Sequence, residues 1–341
     1  MTPAEISAAL VTWFDEFGRH LPWRPDEDPY RIWLMVVMLQ QTRVETVLPY
    51  YERFVAAFPT LPELAAADDE AVLATWKGLG YYSRARNLLA CAREVAATYG
   101  GRLPEDPGLL ERLPGVGRYT AAAVASIAFD APAAAVDGNV LRFLARYYAD
   151  DGDIGSPKTR ARLERLAASL LPPSDRGAHN QAAMDFGALV CAPVPRCDGC
   201  PVRAGCAAFA RGIQGTLPRK TAKAAPRPER LLVARIRDAA GRTLLRLRPD
   251  TGLLARFWEL PNVPDEGADP IAAFAADGLH LTLGATVGEV RHVFTHRLWL
   301  LRVVDATLVR EPAPDARSRW FDDPGTATLP RAFSKILELL E

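Results

Sequence analysis

The chain has 341 residues, 49% of them hydrophobic and 24% charged, which exceeds what one hydrophobic core usually organises and excludes a disordered or fibrous class. Forty-one basic residues balance forty-one acidic ones, so net charge gives no argument for a polyanionic partner, and any surface for one must be local.

The N-terminal segment MTPAEISAALVTWFDEF lacks a basic region followed by a long apolar stretch, and no run approaches the ~18 apolar residues of a membrane span. A cytoplasmic protein with no membrane partner is expected. Thr2, Pro3 and Glu5 together make a capped helix start. From there to about residue 200, apolar positions recur at helical spacing between short breaks carrying Pro or Gly, which predicts an all-α half. Within it, IWLMVVML is apolar around the whole circumference of a helix and predicts a fully buried segment.

LERLPGVGRYTAAAVASIAF places Gly115 and Gly117 in a tight turn between two helical patterns, a helix-hairpin-helix whose free backbone N–H groups can approach a phosphate; an ordinary pair of packed helices is the alternative. AVDGNVLR follows about twenty residues later, with Asp137 and Asn139 at a helix start. By itself Asp137 reads as a plain N-cap, the commoner role for such an Asp.

Four of the five cysteines crowd into Cys191-x5-Cys197-x2-Cys200-x5-Cys206, suited to one [4Fe–4S] cluster. Zinc is the rival, but structural zinc sites usually join two close-spaced pairs, and only Cys197 and Cys200 make one. The fifth, Cys91, reads as a small buried hydrophobe. Residues 211–230, RGIQGTLPRKTAKAAPRPER, hold six basic residues, one acid and three prolines and read as an interdomain linker. Strand-like runs follow at LLVARIRD, TLLRLRP and HRLWLLRVVDATL, with helical stretches at IAAFAAD and the C-terminus, so the second domain is α+β. The expected division is 1–210, including the 191–206 cysteine loop, then the linker, then 231–341.

LPWR at 21–24, MLQQTRVETVLPYYERF from Met38, GLGYYSRARN from Gly78, LPGVGRYTA, VDGNV and the cysteine cluster occur in the order of the MutY-type adenine DNA glycosylases, which the chain resembles over nearly its whole length. The resemblance implies an all-α helix-hairpin-helix glycosylase domain with a [4Fe–4S] cluster held by Cys191, Cys197, Cys200 and Cys206. It also implies an α+β nudix-like domain lacking the acidic metal-binding helix that nudix hydrolases need. The implied reaction is monofunctional removal of adenine mispaired with 8-oxoguanine (or guanine) in double-stranded DNA, by flipping the adenine and hydrolysing its glycosidic bond. That chemistry needs an acid for the leaving purine and a carboxylate beside the oxocarbenium-like sugar.

By the resemblance, Asp137 is that carboxylate, and Tyr119 stands where related endonuclease III enzymes carry a Schiff-base lysine, arguing against a strand-nicking lyase. Gln40, Gln41 and Tyr82 sit at the DNA stack, and Trp23, Arg24 and Asp185 near the extruded base. Phe294, Thr295 and His296 match the lesion-reading motif of the C-terminal domain. The implied protein is a monomeric, nucleoid-associated bacterial base-excision-repair protein.

The chain departs from the family at the general acid, a glutamate preceding the QQT motif, where the row reads Trp33-Leu34-Met35-Val36-Val37-Met38-Leu39-Gln40-Gln41-Thr42. The acid position is Val36. Glu45, nine residues on, points to the opposite face at 100° per residue. Asp185 is the better substitute, provided burial raises its pKa. Val36 therefore keeps open a second reading, a non-catalytic lesion-binding protein of the same fold. CAPVPRC is also one residue shorter than the family's first cysteine spacing.

Overall fold

A computed structural model describes residues 1–24, 28–221, 225–267, 269–294, 296–312 and 317–340, the side chain of Leu340 excepted. The chain divides into two compact units, Met1–Ala222 and Lys223–Glu341.

The first unit is helical: α1 (Pro3–Phe17), α2 (Pro29–Leu39), α3 (Val44–Ala57), α4 (Leu61–Ala66), α5 (Asp69–Trp76), α6 (Ser83–Thr98), α7 (Pro107–Leu110), α8 (Arg118–Phe129), α9 (Gly138–Tyr147), α10 (Pro157–Ser169), α11 (Arg176–Leu189) and α12 (Ala207–Ala210). Local chemistry sets the starts. Thr2 and Glu5 form a reciprocal capping box, Thr60 and Glu63 repeat it at α4, and Asp28 caps α2 ahead of Pro29. Every residue from Ile32 to Met38 is buried, because α2 packs against α3, α6 and α8.

Two apolar clusters result. One is built from α2 to α8, and the other joins α1 with α9, α10 and α11. Close approach across them relies on small residues: a Cβ at Gly187 would stand 2.7 Å from the Asn139 carbonyl oxygen, so α11 can lie against the start of α9 only with glycine there. Glu45 is not on the helix of Val36. The backbone breaks at Gln40–Arg43, and Glu45 occupies the exposed first turn of α3.

The second unit contains β1 (Arg227–Ile236), β2 (Thr243–Leu247), β3 (Trp258–Glu259), β4 (Asn262–Pro264), α13 (Pro270–Ala276), β5 (Leu281–Val293), β6 (Arg297–Leu308), β7 (Ser318–Phe321) and α14 (Arg331–Leu340). One sheet has the order β4-β1-β6-β5, with β1 parallel to β6 and the other pairs antiparallel, and a second has the order β3-β2-β7. The expected α+β class holds. Strand β5 carries no clean alternation, since its pairing with β6 slips between Leu283 and Gly288, which erases the period-2 signal.

Part of the segment read as the interdomain linker is held against its neighbours. Leu217 is 3% exposed and its carbonyl accepts from Arg146 Nε at 2.8 Å, Ile154 N–H donates to the Arg219 carbonyl at 3.0 Å, and β1 already begins at Arg227. Proline breaks the helix there but does not prevent irregular backbone from docking on its neighbours.

Candidate active site

The site lies at the seam between the two helical clusters. Asp137 caps α9: one carboxylate oxygen accepts from the N–H groups of Asn139 and Val140 at 2.9 and 2.8 Å, and the other from Asn139 Nδ2 at 2.7 Å. Burial raises its pKa above the ordinary value against the pull of those donors and Arg142. The plain N-cap reading is thus correct as structure, and it leaves a desolvated carboxylate at the seam.

Tyr119, on α8, reaches across to α11, where its hydroxyl meets Met184 Sδ at 3.2 Å. Burial first, and the Asp137 charge second, raise the phenol's pKa. Tyr119 therefore stays protonated beside Asp137 and offers neither an amine nucleophile nor a phenolate.

Asp185, also on α11, has a side chain only 3% exposed and is clamped by two arginines. It accepts from Arg19 N–H at 3.1 Å, from Arg19 Nη2 at 2.5 Å and from Arg24 Nη2 at 2.6 Å. Burial alone would raise its pKa, but Arg19 and Arg24 hold it below the ordinary value. This corrects the expectation that Asp185 could carry a proton to the leaving base: a doubly paired carboxylate is a poor acid. Arg24 also stacks on Phe14, with 4.4 Å to the ring centroid, and donates to the Arg19 carbonyl. Arg19, Arg24, His20 and Phe14 line an open depression of about 1110 Å³. Trp23, 3% exposed, packs edge-on to Tyr51 at 5.3 Å, so its ring belongs to the core beside that depression.

Val36 is 3% exposed within the apolar cluster of α2. At the end of the same helix Gln40 donates to Thr120 Oγ1 at 2.9 Å, and the exposed Gln41 adopts left-handed backbone, φ 59°. Tyr82, at the start of α6, accepts the Gly78 N–H at 3.0 Å. At the hairpin, Gly115 has φ 72° and a Cβ there would stand 2.5 Å from Asn87. Gly117 begins α8 without a side-chain cap, leaving backbone N–H groups for an anion.

Cys191, Cys197, Cys200 and Cys206 line one cavity of about 380 Å³ together with Phe143, Arg146 and Tyr147. Burial pushes the thiols of Cys191, Cys197 and Cys200 up, that of Cys200 to about 11, so thiolates there need compensating metal charge. Among the described residues no three His, Cys, Asp or Glu side chains gather around a single ion. Four thiols lining one cavity are a donor set that fits a thiolate-bound metal group. Arg142 ties this loop to the seam, donating to the Cys191 carbonyl at 2.9 Å and to Asn139 Oδ1 at 2.8 Å. Cys91 is fully buried and apart from the loop.

In the second unit, Phe294 N–H donates to the Arg297 carbonyl at 2.7 Å, closing the turn between β5 and β6, and its ring packs on His292 and Trp299 at 4.5 and 4.8 Å. His296 is exposed, and Thr295 lies outside the described residues. Helix α13, PIAAFAA, carries no carboxylate that could bind a metal.

Sequence reasoning missed Arg19 and Arg84, although both stand beside motifs it singled out. Neither carries a local signal, since Arg19 sits between Gly18 and His20 and Arg84 between Ser83 and Ala85 with Arg86 following, so both read as surface charge.

Residues 34–169 match the HhH-GPD superfamily of base excision DNA repair proteins, and residues 232–339 match the NUDIX domain. The chain is 35% identical to the adenine DNA glycosylase of Mus musculus, over 97% of this chain and 77% of that one, and 35% identical to that of Homo sapiens, over 99% and 75%. The helical unit is similar to a thermostable thymine-DNA glycosylase, with a TM-score of 0.57 at 30% identity, covering 61% of this chain and 97% of the other.

Proposed function

The chain belongs to the adenine DNA glycosylases, monofunctional base-excision-repair enzymes that act on DNA, and from that membership we propose that its substrate is adenine opposite 8-oxoguanine, or opposite guanine. Adenine leaves the stack past Gln41 and Tyr82, and the hairpin at Gly115 and Gly117 takes a phosphate on its backbone N–H groups. Arg19, Arg24 and Asp185 hold the extruded base. Phe294, Thr295 and His296 read the partner base.

The Asp137 carboxylate stabilises the oxocarbenium-like sugar while water adds to it. Its supporting observation is that it is desolvated at the seam, next to Tyr119, and oriented by three donors. No amine stands at Tyr119, so no Schiff base forms and the strand is not nicked. At Val36 no side chain can protonate the leaving purine, which slows the chemical step by about 10²–10⁴ relative to a chain with an acid there. The four loop cysteines would hold one [4Fe–4S] cluster, whose iron–thiolate bonds would fix the 191–206 loop.

Single-turnover release of adenine from an 8-oxoguanine:adenine duplex tests this reading, run beside Val36→Glu with duplex binding measured on both. The wild type should bind tightly and cut slowly, with the Glu variant faster by about 10²–10⁴. A wild type that already cuts as fast as the variant shows that another group supplies the proton. The non-catalytic alternative has only Val36 in its favour; it predicts no adenine release at any time.

A further inference from the structure

Helix α2 ends where the chain leaves its buried stretch, and the carbonyls of Met38 and Gln40 there need partners beyond the helix, while that of Val37 also accepts the Gln40 N–H at 3.3 Å. Arg84, the second residue of α6, satisfies them. It is 7% exposed, and its Nη1 donates to the carbonyls of Val37, Met38 and Gln40 at 3.0, 2.6 and 2.7 Å. Its Nη2 donates to Thr42 Oγ1 at 3.0 Å and to the Gly80 carbonyl at 3.3 Å. The guanidinium also lies over the rings of Trp76 and Tyr81, 5.3 and 5.4 Å from their centroids.

Those partners belong to two separate turns, and both hold left-handed backbone at a residue other than glycine: Gln41 with φ 59° and Tyr81 with φ 47°. Such conformations persist only where the surroundings over-determine them. We infer that Arg84 is a positioning residue that locks the Gln40–Thr42 turn to the Gly80–Tyr82 turn, so that the two turns enter the DNA stack as one rigid probe. The planar fork matters, since Nη1 holds the end of α2 at Val37, Met38 and Gln40 while Nη2 reaches both Thr42 and Gly80 from the same rigid group, and an ammonium offers a single point. Burial lowers the guanidinium's pKa to about 10, so it remains a cation at neutral pH, the favourable charge at a helix C-terminus. Arg84 touches no DNA in this account. The inference rests on the proposal above that Gln41 and Tyr82 face the stack.

The test uses the full chain and a duplex carrying 2-aminopurine opposite 8-oxoguanine, whose fluorescence rises as the base leaves the stack and needs no bond cleavage. Arg84→Lys should fold with a lower melting temperature, because buried carbonyl contacts are lost, and should lower the extrusion equilibrium about tenfold, a 1.4 kcal/mol effect. Gln41→Ala should also lower extrusion, and the double variant should be no worse than Gln41→Ala alone, because Arg84 acts through that turn. If Gln41→Ala lowers extrusion while Arg84→Lys does not, or if the two effects add, the clamp is overturned and the placement of Gln41 stands. If Gln41→Ala changes nothing, the placement itself fails and the clamp with it. Should Arg84→Lys not fold, Thr42→Val removes one contact of the same fork, and the same outcomes decide.

Discussion

The carboxylate of Asp185 meets Arg24 Nη2 at 2.6 Å and Arg19 Nη2 at 2.5 Å, with only 3% of its side chain exposed. Asp185→Asn leaves both guanidinium groups without their counter-charge. Because they are 17% and 33% exposed, water recovers part of the loss, and destabilisation of about 1–3 kcal/mol is expected in chemical denaturation. The folded pKa of Asp185 is lowered, so its stabilisation is complete above the unfolded carboxylate pKa and is lost as pH falls through the folded value. The Asn variant should therefore lose less stability than the wild type on acidification; parallel acid profiles refute the ion pair.

Asp137→Asn separates the cap from the chemistry. Asn caps a helix about as well as Asp, so the melting temperature should barely move, whereas Asp137→Ala should cost about 1 kcal/mol. Adenine release should collapse in both. Because burial raises the pKa of Asp137, the ionised form is lost at higher pH than for an ordinary carboxylate, and the acid limb of the single-turnover rate should lie correspondingly higher. An Asn variant as active as the wild type would falsify the sugar-stabilising role.

Val36→Glu places a carboxyl among the buried residues of α2. Its desolvation should cost about 1–3 kcal/mol, read as a lower unfolding midpoint in a variant that cuts faster. A gain in rate with no loss of stability means that the position is wetter than its 3% exposure indicates.

Cys200→Ser should lower the iron content and visible absorbance of protein purified without air, and lower stability with them. Four irons per chain agree with the cluster; one zinc per chain rejects it.

Gly115→Ala must place a side chain at φ 72° with its Cβ 2.5 Å from Asn87, at a cost of about 1–3 kcal/mol. It should also flatten the dependence of log affinity for duplex DNA on log salt, as a phosphate contact is lost. An unchanged slope removes the hairpin from the interface.

Much of this protein was legible because its signals are local. A capping box at Thr2, unbroken apolarity through α2, turn glycines at the hairpin, four close cysteines and the strands β1, β2 and β6 each depend on neighbours within a few residues, and the ordered motifs carried the family. What the chain alone could not decide was ionisation and pairing. Asp185 reads as a candidate acid until Arg19, 166 positions away, is folded onto it, and nothing local shows that Leu217, within the linker, is buried. The charge state of Asp137 and the clamp by Arg84 likewise depend on desolvation and on partners from distant helices, and those are set only when the helices pack.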